Sequence, residues 1–292
     1  MDIVLSTVMG FCTGVRKAVT LLERALEEGS RLNLPVYTIG PLIHNEQYLE
    51  SVEKRGVRII ASPQEAEPGI AVVRAHGIPP SLHESFIRSG FMLYDGTCSR
   101  VMRSQRLVEK YTQRGWTVLI AGNRDHGEVQ SIIGYAEKPE LVHVLDSPEE
   151  LSHIHTGAEV LLLAQTTFPH YRYSEIRQEL RTYLEELGIS ILEVVDSICP
   201  ATKLRQDALS DLLTRVDGVV IVGGKGSANT RVLYERAVQK GFKAWHISSS
   251  SEVTDAMREI SRIGITAGAS TPEWVIDEVV ELLQSEVRRG NA

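Results

Sequence analysis

Cys12 in STVMGFCTGVRKAV, Cys98 in LYDGTCSRVMRSQ and Cys199 in VVDSICPATKLRQDA are the three thiols of this chain. Each follows an apolar, strand-like run and precedes a helical run carrying Arg or Lys, so the three contexts match and point the sulfurs at one centre. Three thiolates can hold three irons of a cubane 4Fe–4S cluster and leave the fourth iron without a protein ligand, where a substrate oxygen can bind. One cysteine in such a turn reads as a small buried hydrophobe; three in equivalent turns read as a ligand set. Two other classes stay open on these residues. Three thiolates plus water would make an open tetrahedral zinc site for a hydrolase or lyase, although catalytic zinc is seldom held by three thiolates. A non-catalytic Fe–S redox sensor is the other.

Other candidate groups fall in turns of the same kind. His44 in GPLIHN, His76 in RAHG and His126 in NRDHGE stand at strand ends. Imidazole can ligate a metal or, as a cation near neutrality, bind phosphate oxygens; with thiolates already present for iron, anion binding is the expected role. The last third of the chain has no His at its turn but offers Ser227, Ala228 and Asn229 in GGKGSANT, with Ser270 in TAGAST. Small residues let the backbone approach an anion, and hydroxyls, amides and a helix N-terminus supply donors. GGKGS lacks the closing Gly-Lys-Ser/Thr of a Walker A loop. Glu128, two residues past His126, is the carboxylate in these turns. Shielded from water its pKa would rise, which suits a proton donor, and Thr166 and Thr167 in AQTTF are placed to orient or relay that proton.

The elements that must position these residues repeat three times. Strands near Ile3–Val8, in FMLYDG and in SILEVVD lead to the cysteines, and helices near Val15–Glu27, to about Gln113 and to about Leu213 follow them. Next come VYTIG, WTVLIAG and GVVIVGG with their turns, then a short helix and a strand, then strands ending in VVRAHGIP, LLLAQTTFP and IGITAGASTP. Strands alternating with helices at this spacing predict βαβ crossovers and parallel sheets. Ligands gather at the carboxyl ends of such strands. The expectation is an α/β trefoil of three small parallel-sheet units, 1–97, 98–198 and 199–292, around a central site, with each cysteine-bearing strand acting as a hinge.

Composition narrows the class of function. At 292 residues, 42% hydrophobic and 24% charged, the chain is ordinary for a globular protein. Its net charge of −7 comes without a basic stripe, so neither nucleic acid nor a membrane surface is the expected partner. An odd, widely spaced set of three cysteines argues against a disulfide framework and fits a reducing compartment. MDIVLSTVMGF carries no basic leader and its apolar run is too short for a span, so a cytoplasmic location is expected.

Taken in order, GFCTGVRKAV, GPLIHN, RAHGIP, DGTC, HGE, AQTT, SICPATKLRQ, GGKGSANTRVL and TAGASTPEW resemble the 4-hydroxy-3-methylbut-2-enyl diphosphate reductase family, over the chain from Cys12 to about Trp274. The resemblance implies an oxidoreductase of the non-mevalonate isoprenoid pathway, with an oxygen-sensitive 4Fe–4S cluster in a three-domain trefoil. It implies that Cys12, Cys98 and Cys199 hold the cluster, with the substrate oxygen on the open iron. His44, His76, His126, Ser227, Ala228, Asn229 and Ser270 would surround the diphosphate. Glu128 would donate the proton, Thr166 would lie near the substrate hydroxyl, and reduced ferredoxin or flavodoxin would supply electrons. Three positions depart from the family pattern: Ser99 follows Cys98 where Pro is common, Gly127 stands in a His-Gly-Glu turn where His-Pro-Glu is common, and Ala228 fills a site often held by Ser or Gly.

Overall fold

Short aliphatic runs bounded by Gly, Pro and polar turns form twelve strands among the described residues, and every strand pairing is parallel. The computed structural model describes residues 1–285. One sheet contains β2 (Val36–Ile39), β3 (Arg58–Ile60), β4 (Ile70–Val73) and β5 (Met92–Asp95) in the order β3-β2-β4-β5. A second contains β6 (Thr117–Ala121), β7 (Val142–Leu145), β8 (Glu159–Ala164) and β9 (Ile191–Val194) in the order β7-β6-β8-β9. The third has β10 (Gly218–Val222), β11 (Lys243–Ile247) and β12 (Arg262–Ala267) in the order β11-β10-β12, and its last place is taken by β1 (Asp2–Leu5). This is the three-sheet parallel α/β architecture expected from the repeat.

The N-terminal strand differs from the expected assignment. β1 was grouped with residues 1–97, yet it pairs with β12 in register from Asp2 with Arg262 to Leu5 with Ile265. Its equivalents β5 and β9 explain why. Each cysteine-bearing strand closes the sheet that precedes it in the repeat, so the first strand of the chain completes the last sheet. By packing density the chain divides into two compact units rather than three. One comprises Met1–Arg16, Ile43–Gly56 and the described residues from Pro200 onward, and holds the third sheet; the other comprises Lys17–Leu42 and Val57–Cys199, and holds the first two.

Local sequence accounts for the elements. The inner strands VYTI, IAVV, TVLIA and GVVIV are buried at every residue, as parallel strands covered on both faces must be. The edge strands DIVL, MLYD and ILEV are only partly buried. Helices α1 (Thr13–Leu32), α4 (Ser99–Gln113) and α7 (Pro200–Leu213) follow the cysteines. Helices α2 (Glu46–Glu53), α5 (Gly127–Ile133) and α8 (Ala228–Gln239) follow the first polar turn of each repeat. Helices α3 (Pro80–Arg88), α6 (His170–Glu186) and α10 (Glu273–Ser285) follow the second, and α9 (Asp255–Arg258) is a single turn. Starts are marked chemically: Asn45 Oδ1 accepts the Tyr48 amide at 2.9 Å, and Pro80 opens α3 where an amide would lack a partner.

Alternate residues of each strand feed opposite cores. In the third sheet Val220 and Ile265 pack with Val279 on one face, while Ile221 meets Leu209 and Leu233 on the other. In the second, Leu119 and Leu162 pack with Leu180, and Val118 and Ile120 with Val108 and Ile132. Ile265 is fully buried between β1 and β10, so Ile265→Ala should destabilise the chain by about 2–5 kcal/mol. Leu5→Ala on the exposed edge should change stability by less than about 1 kcal/mol. Thermal melts of both variants check this, and equal losses would contradict the assigned core.

Candidate functional site

Each cysteine is tied into its turn by the same hydrogen bond. The amide of Cys12 donates to Ala269 O at 3.1 Å, that of Cys98 to Ala75 O at 3.0 Å, and that of Cys199 to Thr166 O at 2.8 Å. Those carbonyls lie two residues past the ends of β12, β4 and β8, the strands that pair with the cysteine-bearing edges. Each cysteine stands at the start of a helix. Cys12 Sγ accepts the Val15 amide at 3.5 Å, Cys98 is the residue before α4, and Cys199 precedes Pro200, the first residue of α7. None of the three cysteines is in a disulfide, and each is partly exposed. The positive end of a helix suits an anionic sulfur, so this donor set fits the thiolate ligands of an iron–sulfur cluster.

In the unit that holds the third sheet, the structure brings together His44, Ser227, Ala228, Asn229 and Ser270. The turn after β10 runs under His44: a Cβ at Gly224 would overlap the His44 carbonyl, so only glycine allows the approach. Ser270 Oγ lies 3.4 Å from His44 O and 3.3 Å from Ser227 Oγ. Ser227 caps α8 by accepting the Thr230 amide at 3.3 Å. Asn229 is buried, and its Nδ2 has no hydrogen-bond partner among the described residues. A buried amide donor left open beside hydroxyls and a twelve-residue helix start is what an anion would complete. Ala228, half-buried, contributes backbone only.

The other unit holds the acid. Glu128, the second residue of α5, is 1% exposed. Its Oε1 accepts the Thr166 amide and its Oε2 the Thr166 hydroxyl, each at 2.6 Å. Burial pushes the Glu128 carboxyl above the ordinary carboxylate range, and the two Thr166 bonds partly oppose that rise. Thr167, expected to share the relay, does not touch the acid. Its hydroxyl accepts instead from Gln165 Nε2 at 2.9 Å, within the turn that follows β8. The rings of His76 and His126 meet edge-on with centroids 4.9 Å apart. His126 Nδ1 accepts the Glu128 amide at 3.2 Å and so caps the start of α5.

Sequence reasoning missed several supporting residues. Gln165 Oε1 accepts the Asn123 amide at 3.1 Å and so ties the His126 turn to the Thr166 turn. Lys17 Nζ donates to Thr97 O at 3.0 Å, just before Cys98. Arg205 donates to Gly10 O at 2.5 Å, just before Cys12. Lys17 and Arg205 sit in the quoted GVRKAV and ATKLRQ runs, where a basic residue after each cysteine was the visible signal.

The LytB protein family matches residues 3–284. A 4-hydroxy-3-methylbut-2-enyl diphosphate reductase from Treponema denticola is 39% identical over 288 residues, covering 94% of this chain and 96% of its own. One from Aquifex aeolicus is 34% identical over 290 residues, covering 97% and 96%. Among solved structures, the E-1-hydroxy-2-methyl-but-2-enyl-4-diphosphate reductase from Plasmodium falciparum shares the fold with a TM-score of 0.87 at 24% identity, over 96% of this chain and 87% of that one. The (E)-4-hydroxy-3-methyl-but-2-enyl diphosphate reductase described as the terminal enzyme of the non-mevalonate pathway gives a TM-score of 0.71 at 33% identity, over 98% and 100%.

A carboxyl whose proton affinity rises on folding favours the folded state below its ordinary value of 4.5, and that contribution is lost as pH climbs through the raised value. Glu128→Gln keeps both contacts to Thr166 without the charge. Its melting temperature should therefore gain on that of the parent chain as pH rises from about 5 to 8. A gap that stays constant across this range would show that Glu128 is not the buried acid.

Proposed function

The chain belongs to the LytB protein family, and from that premise we propose that it reduces (E)-4-hydroxy-3-methylbut-2-enyl diphosphate to isopentenyl and dimethylallyl diphosphate. The reaction takes up two electrons and two protons and releases water. The observation that carries this reading is one continuous set of bonds: Cys199 N to Thr166 O, then the Thr166 amide and hydroxyl to the Glu128 carboxyl. A buried acid and a thiol ligand thus share one short scaffold. A non-catalytic redox sensor does not call for a buried carboxyl beside such a ligand.

Cys12, Cys98 and Cys199 are the proposed holders of a 4Fe–4S cluster. When bound, the cluster supplies the two electrons and a Lewis-acidic iron with no protein ligand. The remaining steps are the work of side chains. His44, Ser227, Asn229, Ser270 and the backbone at Ala228 bind the diphosphate, with His76 and His126 presenting further ring nitrogens. Thr166 fixes the Glu128 carboxyl so that its proton meets the substrate hydroxyl, which departs as water. Burial supports this role twice, by raising the proton affinity of Glu128 and by keeping bulk water from competing for its proton. Electrons are proposed to come from reduced ferredoxin or flavodoxin, and the location is proposed to be the cytoplasm. Among the described residues no helix is long and apolar enough to cross a membrane.

The test is an anaerobic assay of the cluster-loaded chain with the diphosphate substrate and a chemical reductant; absence of both products would sink the proposal. Each of Cys12→Ser, Cys98→Ser and Cys199→Ser should lose bound iron and sulfide. A variant retaining four irons and parental turnover would remove that residue from the ligand set. Glu128→Gln should lower turnover at least ~10²-fold. Thr166→Val removes the hydroxyl bond that lowers the Glu128 proton affinity, so the alkaline limb of the pH–rate profile should move to higher pH. An unmoved limb would separate Thr166 from the acid's titration.

A further inference from the structure

Arg74 follows the last residue of β4 and sends its side chain along the turn that carries the acid. Its guanidinium fills the space left by two glycines. A Cβ at Gly40, which has φ of +69°, would come 3.2 Å from Nη1, and a Cβ at Gly127 would overlap Nη2. Gly127 lies between His126 and Glu128, so the fork sits directly against the candidate site. It lacks a counterion: no carboxylate pairs with Arg74 among the described residues, and its Nε–H is buried without a hydrogen-bond partner. Burial alone pushes the guanidinium below its ordinary range, with no anion opposing the shift.

A half-buried cation whose Nε–H is shut off from water without a partner is unfavourable unless something anionic completes it. The planar fork of Arg matches two oxygens of a phosphate group, which a point charge cannot do. We propose that Arg74 is a further diphosphate-binding residue, its fork closing on phosphate oxygens beside His126, and that glycine at 127 is what admits it. The proposal rests on the diphosphate substrate assigned above. It also accounts for a departure from the family pattern. Proline in the His-Gly-Glu turn would put ring atoms where the guanidinium now lies.

The probe is inorganic diphosphate, titrated calorimetrically into the anaerobically prepared, cluster-loaded chain. Arg74→Met should raise its Kd at least ~10-fold, the effect of losing one bidentate charged contact. In the absence of ligand its melting temperature should equal or exceed the parental value, since an uncompensated buried charge has gone. With substrate, KM should rise by a larger factor than kcat falls. Gly127→Ala, which displaces the fork without removing it, should weaken diphosphate in the same direction.

Parental affinity in Arg74→Met would overturn the assignment and leave the diphosphate reading intact. So would a lowered melting temperature with unchanged affinity, the mark of a structural strut. Should Arg74→Met fail to fold, Arg74→Lys keeps the charge without the fork, and parental affinity in that variant would equally overturn the proposal. No heat from the parent chain would instead sink the diphosphate reading itself.

Discussion

The hydrogen bond from each cysteine amide to a carbonyl two residues past a neighbouring strand is the constraint on which the arrangement depends. In a parallel pair both strands end on the same side, so the turn after one can hold the turn after the other. This geometry holds a cysteine once per sheet, at the junction of one edge strand with its inner partner. The chain uses it at all three sheets, and closes the set by lending its first strand to the last sheet. Because the carbonyls of Ala75, Thr166 and Ala269 belong to the same turns as His76, Thr167 and Ser270, each thiol is positioned relative to a polar neighbour by backbone alone. Backbone ties of this kind survive side-chain change, which explains how Ser99 can replace the usual proline after Cys98 without loosening the turn.

Burial does different work in the two units. Around Asn229 it leaves an open donor, which an anion can satisfy. Around Glu128 it surrounds a fully satisfied acid, whose two oxygens are both engaged by Thr166. The first arrangement costs free energy while its donor stays open; the second raises the proton affinity of the acid. The two contacts from Thr166 favour the carboxylate form and lower the proton affinity of Glu128. Desolvation outweighs them here, and the balance is set by a residue with almost no exposed surface.

Much of this was legible in the chain. Helix starts after Cys98 and Cys199, the inner strands and the small-residue turn before α8 all follow from local pattern: β-branched runs, proline at first helical positions, small residues in turns. What escaped was information that local pattern does not contain. Alternation says that Asp2–Leu5 is a strand but cannot name a partner some 260 residues away. Two adjacent threonines are equivalent on paper, whereas only Thr166 bonds to the acid, so Thr166 and Thr167 separated only in three dimensions. For His126, its place before a helix, where Nδ1 accepts the Glu128 amide, was likewise not visible in the residue type.

Gly127 shows how a departure from pattern can carry more information than a match. In isolation it reads as a loosened turn, because glycine widens the conformations open to the residue before Glu128. The backbone there is nonetheless helical, His126 caps it, and Gln130 Nε2 spans back to Arg124 O at 2.6 Å, so the turn is restrained without proline. What glycine removes is volume. The vacated space holds the Arg74 guanidinium, whose own origin, one residue past β4, is fixed by the sheet. A side chain lost at one position and a cation admitted from another are therefore a single structural change, visible only when the space between them is considered.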